Sequence, residues 1–251
     1  LLLNSDKSKL SKRQGHVSVE EYIQAGYIKE AILNFVAFLG WNPGSGEEKE
    51  IYTLEELEEA FSLEKVHKAG AVFNLEKLDW FNWKWQKQIF ENKVAKGETR
   101  EKLLYEYSEK YLPEKYKKDE KALFKALKTV EEKILKNPKE TEENIKFYFE
   151  LPNYDKELLT QEKMNVDLKQ AKTSVEEGLK VLEKLEDWNE ENIKNTLLET
   201  VMKLGIKNGQ LLWPIRAALS GLPFSPGAFE VANTLGKEET VRRLQLALKK
   251  I

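Results

Sequence analysis

The chain has 251 residues, with 41 Lys and Arg against 43 Asp and Glu and a net charge of −2, so a uniformly basic nucleic-acid binder is excluded. With 33% charged and 41% apolar residues it has the balance of a globular protein able to bury a core, not that of a disordered segment. No stretch nears the roughly 18 apolar residues of a membrane span, no signal-peptide pattern opens the chain, and without cysteine it has neither disulfides nor thiolate metal sites.

Helical patterns follow one another along the chain, and no convincing strand interrupts them. Ser18-Val19-Glu20-Glu21 and Thr53-Leu54-Glu55-Glu56 are capping boxes, in which a hydroxyl accepts from first-turn amides. Between them, 28–38 is an apolar-rich helix expected to close at Gly40, ahead of the turn 42–46. A further helix is expected over 73–85. Segment 99–112 places Leu103, Leu104, Tyr107 and Tyr111 at helical spacings and stops at Pro113. Ala122 to Ile134 predicts a single amphipathic helix ended by Asn137-Pro138, and 160–185 is the longest helical pattern, with Met164 on its stripe. Helices over 189–204, 226–235 and 237–250 complete the chain, the first ended by Gly205 and the second opened by Pro226. The expectation is an all-α fold cut near Trp85–Gln88 and at Pro152-Asn153-Tyr154-Asp155, giving units 1–88, 89–158 and 159–251.

Charge is spread unevenly. Residues 1–16 hold Lys7, Lys9, Lys12 and Arg13 against Asp6, a net of +3, and residues 205–251 hold seven Lys and Arg against three Glu, a net of +4. The remainder sums to −9. Two basic ends around an acidic middle suit a long polyanion gripped at separated points, although ordinary variation along helix surfaces gives similar numbers. Lys9, Ser11, Lys12 and Arg13 form a compact loop suited to phosphate, with ammonium point charges, a planar donor fork and a short hydroxyl. Lys115 to Lys128 holds six lysines against two acids, which suits a phosphate backbone and equally a solvated helix face. Trp80, Trp83 and Trp85 cannot share one helix face, so one or two belong to the core. Near the C-terminus, Arg216 can bond or stack on a base, and Pro226-Gly227 can present backbone amides to one; Trp213 is expected in the core. His16 and His67 stand 51 positions apart without metal-ligand spacing, so no metal site is expected.

Lys9-Leu10-Ser11-Lys12-Arg13 with its flanks resembles the second signature motif of class I aminoacyl-tRNA synthetases, in the form of the bacterial glutamyl-tRNA synthetase family. Further landmarks keep the same order: Ala31-Ile32-Leu33-Asn34-Phe35, Leu39-Gly40-Trp41, 70–80, Trp213-Pro214-Ile215-Arg216, Ser225-Pro226-Gly227 and Leu235-Gly236-Lys237-Glu238. Residues 90–200 match loosely. Trp83 and Trp85 depart from the family, which commonly has glycine and tyrosine there.

The resemblance implies a helical stem-contact unit followed by two helical anticodon-binding subdomains. It implies that Lys9 and Lys12, with Ser11 and Arg13, act on ATP phosphates, and that Arg216, Ser225, Pro226 and Gly227, beside Trp213, lie at the anticodon pocket. The full enzyme would join L-glutamate to tRNA(Glu), and in some members also to tRNA(Gln), using ATP and Mg2+. No nucleotide-binding fold precedes the lysine loop and the chain opens at Leu1, so the expectation is the C-terminal part of a longer, monomeric, cytoplasmic enzyme, inactive by itself and carrying no cofactor. The alternative is a stand-alone, non-enzymatic helical RNA-binding or scaffold module.

Overall fold

The computed structural model describes residues 2–4, 6–9, 18–44, 49–67 and 70–251. It divides into two compact units, Leu1–Thr99 and Arg100–Ile251. Among the described residues there are fourteen α-helices and one two-stranded sheet, an all-α fold. No helix among them is long and apolar enough to cross a membrane.

The first unit holds β1 (Leu2–Leu3), α1 (Val19–Ala25), α2 (Lys29–Phe38), α3 (Leu54–Ala60), β2 (Ala71–Val72) and α4 (Leu75–Ala95). Both capping boxes form: Ser18 Oγ accepts from Glu21 N while Glu21 Oε2 accepts from Ser18 N, and Thr53 and Glu56 repeat the exchange. One face of α2 packs on α4 through Ala31, Ile32 and Phe35 against Leu78, Phe81 and Trp85. Asn34, buried within that contact, makes three hydrogen bonds. Its Oδ1 accepts from Tyr52 N at 2.9 Å and Trp85 Nε1 at 3.1 Å, and its Nδ2 donates to Glu50 O at 3.1 Å. One side chain thereby ties the chain at 50–52 to both helices.

Three expectations for this unit change. The strands pair in parallel, Leu2 with Ala71 and Leu3 with Val72, where none was expected; two residues each are too short for an alternating pattern to show. The α2 helix ends at Phe38 without a left-handed glycine: Leu39 N bonds Val36 O and Trp41 N bonds Ala37 O, which carries the Trp41 ring into a cluster with Tyr52 and Leu57. And α4 runs past Trp85 to Ala95, because Phe90 continues its buried face and the first left-handed residue is Gly97, at φ +100°. Trp85 is core, whereas Trp80 and Trp83 are half-buried with Lys84 over both rings.

The second unit begins with α5 (Arg100–Ser108), α6 (Glu114–Lys117), α7 (Glu120–Thr129), α8 (Glu131–Lys136) and α9 (Thr141–Phe149). The helix expected over 122–134 is two. Thr129 Oγ1 bonds back to Ala126 O, and Val130 leaves the helical region at φ −122°, ψ 21°, so α8 restarts at an angle that buries Ile134 and Leu135. Next come α10 (Leu168–Lys184), α11 (Glu190–Leu204), α12 (Asn208–Ser220), α13 (Ala228–Leu235) and α14 (Lys237–Leu248). The 160–185 pattern is helical only from Leu168. Before it, Gln161 bridges to Val166 around a 3-10 turn, Asn165 takes φ +54°, and the Asp167 carboxylate caps α10. Met164, expected on the stripe, packs instead over Gly209. Pro226 stands ahead of α13, whose cap is Gly227.

The core of this unit is α10 packed on α12 and α14, with α11 and α13 closing round them. Arg243, 3% exposed, crosses it. Its Nη1 donates to Phe147 O at 2.7 Å and Leu219 O at 2.6 Å, and its Nε to Glu239 at 2.7 Å, so one guanidinium satisfies the C-terminal carbonyls of α9 and α12. Burial raises the Glu239 pKa, but its bonds to Arg243 and Arg242 more than offset this and hold it below the ordinary value. Arg243→Ala leaves two buried carbonyls without donors and takes one of the Glu239 carboxylate's two arginine partners, Arg242 remaining. Urea denaturation is expected to show a loss of about 3 kcal/mol.

Candidate nucleic-acid interface

Pro214, inside α12, has no N–H to give the carbonyl of Gln210. Ser174 of α10 replaces it, donating to Gln210 O at 2.7 Å. Trp213 and Arg216, three positions apart, lie on one face of α12. Trp213 is half-buried, not fully core: its Nε1 donates inward to Leu158 O at 3.2 Å, while one ring face lies 4.5 Å beneath the Arg216 guanidinium.

Arg216 is occupied by its own chain. Nη2 donates to Pro223 O at 2.9 Å, and Nη1 to Ser225 Oγ at 2.8 Å and Leu222 O at 3.5 Å. Burial lowers its pKa from the ordinary value, and the group stays charged. The turn it braces begins at Gly221, φ +65°, where a Cβ would overlap the Pro152 ring. It ends at Gly227, whose amide donates to Glu230 Oε2 at 2.7 Å. The structure therefore brings Trp213, Arg216 and Ser225 together and continues through Pro226 and Gly227 into α13. The Gly227 amide, expected to face a ligand, is taken up in capping the helix.

A cavity of about 680 Å3 opens between α7 and α13, which pack against each other. Lys121, Lys125 and Lys128 line it at helical-turn spacing beside Phe124, and Asn233 and Thr234 face it from α13. Glu101, Glu120, Glu190 and Glu230 also line it, four carboxylates against the three lysines. Lys128 lies 3.8 Å from Glu101, while Lys121 and Lys125 are exposed. Below, Tyr148 donates to Thr129 Oγ1 at 3.0 Å, and burial raises its pKa so that it stays neutral. Ammonium groups suit phosphates, while an amide and a hydroxyl suit base edges. Phe124, Asn233 and Thr234 were not singled out in the sequence; only the fold sets α7 against α13.

Of the phosphate loop, Lys9 is exposed and pairs with Leu3 after a turn in which Ser8 N and Oγ donate to Asp6 at 2.9 and 2.6 Å. Ser11, Lys12 and Arg13, like His16, lie outside the described residues.

The family model described as "Anticodon binding domain" matches residues 102–248, more than half of the chain. The chain belongs to this anticodon-binding family. Residues 1–80 also match the model for the catalytic domain of class I tRNA synthetases (E and Q). Relatives include the glutamate–tRNA ligases of Clostridium botulinum strain Hall, 39% identical, and Clostridium tetani, 37% identical; each match covers the whole of this chain and 49% of the relative. The chain thus spans about half the length of the curated relatives it matches. A crystal structure of a glutamate tRNA ligase from Elizabethkingia meningosepticum, in complex with its amino acid, superposes with a TM-score of 0.71 at 26% identity, over 99% of this chain and 50% of that one. The anticodon-binding match takes in the whole Trp213–Gly227 constellation and the α7–α13 cavity.

Two outcomes test this geometry. Gly221→Ala combines a left-handed backbone costing roughly 1–2 kcal/mol with an overlap of similar size, and an unfolding titration is expected to show a loss of about 3 kcal/mol. Arg216→Lys keeps the charge but not the fork. Hydrogen exchange is expected to quicken at 222–225 while α10 keeps its protection.

Proposed function

We propose that this chain is the tRNA-binding part of a glutamate–tRNA ligase, with the surface around Trp213, Arg216, Ser225, Pro226 and Gly227 meeting the anticodon loop. The observation that carries this reading is the constellation itself: inside the anticodon-binding match, a guanidinium stacked on an indole braces a proline-flanked turn. Splayed, single-stranded bases are the part of an RNA that such a surface can read, and the Lys121–Lys128 row suits the adjoining phosphates. In functional terms we divide the chain into the signature loop with a stem-contact unit over 1–88 and anticodon-binding subdomains over 89–158 and 159–251.

The partner is tRNA(Glu), with tRNA(Gln) a second substrate if the anticodon surface accepts it. The complete enzyme, a cytoplasmic monomer in this reading, joins L-glutamate to the tRNA 3′ end at the expense of ATP. The donor set Lys9, Ser11, Lys12 and Arg13 fits a polyphosphate chemically, two ammonium groups and a guanidinium opposing the charge of a departing pyrophosphate. Mg2+ would accompany the ATP, held largely by its phosphates.

Titrating a labelled tRNA(Glu) transcript at two salt concentrations, beside one with altered anticodon bases, tests the proposal. Tighter binding of the intact anticodon, with affinity falling as salt rises, is expected. Equal, weak binding of both transcripts would mean that specificity needs the rest of the enzyme, or that the assignment of Arg216 and its turn is wrong.

A further inference from the structure

Phe224 is 81% exposed, more than any other large hydrophobic side chain recorded as exposed among the described residues. Single exposed apolar side chains are common and need no function. Phe224 differs in how it is held. Arg216 bonds the carbonyls of Leu222 and Pro223 before it and the hydroxyl of Ser225 after it, Leu222 N donates to Ser220 Oγ at 3.3 Å, and Pro223 and Pro226 bracket it. Leu63 and Met202, at 78% and 72% exposed, have neither flanking prolines nor a guanidinium brace, and neither has a π face. The turn keeps Phe224 away from the core that an apolar ring would otherwise seek.

We infer that Phe224 is a stacking platform for an unpaired RNA base, held out from the fold by the Arg216–Trp213 pair. This rests on the tRNA-binding reading above and adds a residue and a role to it. A ring carried on backbone already fixed by Arg216 stacks at the cost of its side-chain rotamers alone, without ordering the turn. The cation behind the turn and the basic balance of residues 205–251 draw the strand towards it. Having no hydrogen-bonding group, Phe224 adds affinity and carries no base preference of its own.

The experiment compares wild type with Phe224→Ala, Phe224→Leu and Phe224→Trp on the labelled tRNA(Glu) transcript and its anticodon-altered counterpart. A version carrying 2-aminopurine in the anticodon loop reports stacking directly. Phe224→Ala and Phe224→Leu are expected to weaken both transcripts equally, by roughly 5- to 150-fold, with the salt dependence unchanged because no charge is lost. Phe224→Trp retains affinity, and 2-aminopurine is quenched by wild type and Phe224→Trp but not by Phe224→Leu. Met202→Ser, equally exposed, leaves binding as it was. If wild type binds with anticodon preference and Phe224→Leu binds and quenches as well as wild type does, this inference is overturned while the tRNA reading stands. If wild type does not bind the transcript, both fall.

Discussion

A proline in the middle of α12 leaves the carbonyl of Gln210 without its helical donor, and a buried carbonyl in that state is costly. The buried Ser174 hydroxyl supplies the missing bond, and Gln170 Nε2 in turn donates to that hydroxyl at 3.0 Å. The bond requires α10 and α12 to lie close. Gly178, one turn further along α10, makes room for it, since a Cβ there would come within 2.5 Å of Ile215 Cδ1. Much of the second unit is arranged around this contact: α14 packs on both helices, and α11 and α13 close the sides.

The same accounting recurs at the far end of α12. Ala217 O accepts from Gly221 N, Ala218 O from Tyr154 OH and Leu219 O from Arg243, each donor brought in from outside the helix. With those carbonyls satisfied, Arg216 is left to organise the next segment, Leu222 to Ser225. The stability of the helix end and the shape of the surface beyond it thus share one set of bonds. A largely buried guanidinium would be an expensive way to read a base directly. As a brace it donates three bonds to a single turn, a use that its planar fork suits.

In the first unit Asn34 plays a comparable part. A polar residue on the apolar face of α2 looks out of place until its three partners are counted: the amide of Tyr52, the indole of Trp85 and the carbonyl of Glu50. It fixes how the chain returns to the helix pair, and a buried group with three directed bonds specifies one arrangement where an apolar one would allow several.

Local rules set much of this protein. The two capping boxes, the Gly205 stop and the buried stripes of α7 and α10 are decided within a few residues by amide bonding and helical period, and all are visible in the sequence. So is the membership of Trp213, Arg216 and Ser225 in one neighbourhood, through ordered landmarks. The break at Val130, the late start of α10 at Leu168 and the length of α4 were not legible, because an apolar period continues through a bend without marking it. Nor did the residue types show that Arg216 faces its own chain, that the Gly227 amide is spent on Glu230, or that α7 and α13 enclose a cavity. Those outcomes depend on which carbonyls and amides are left unpaired once distant helices meet, a condition that exists only in the assembled fold.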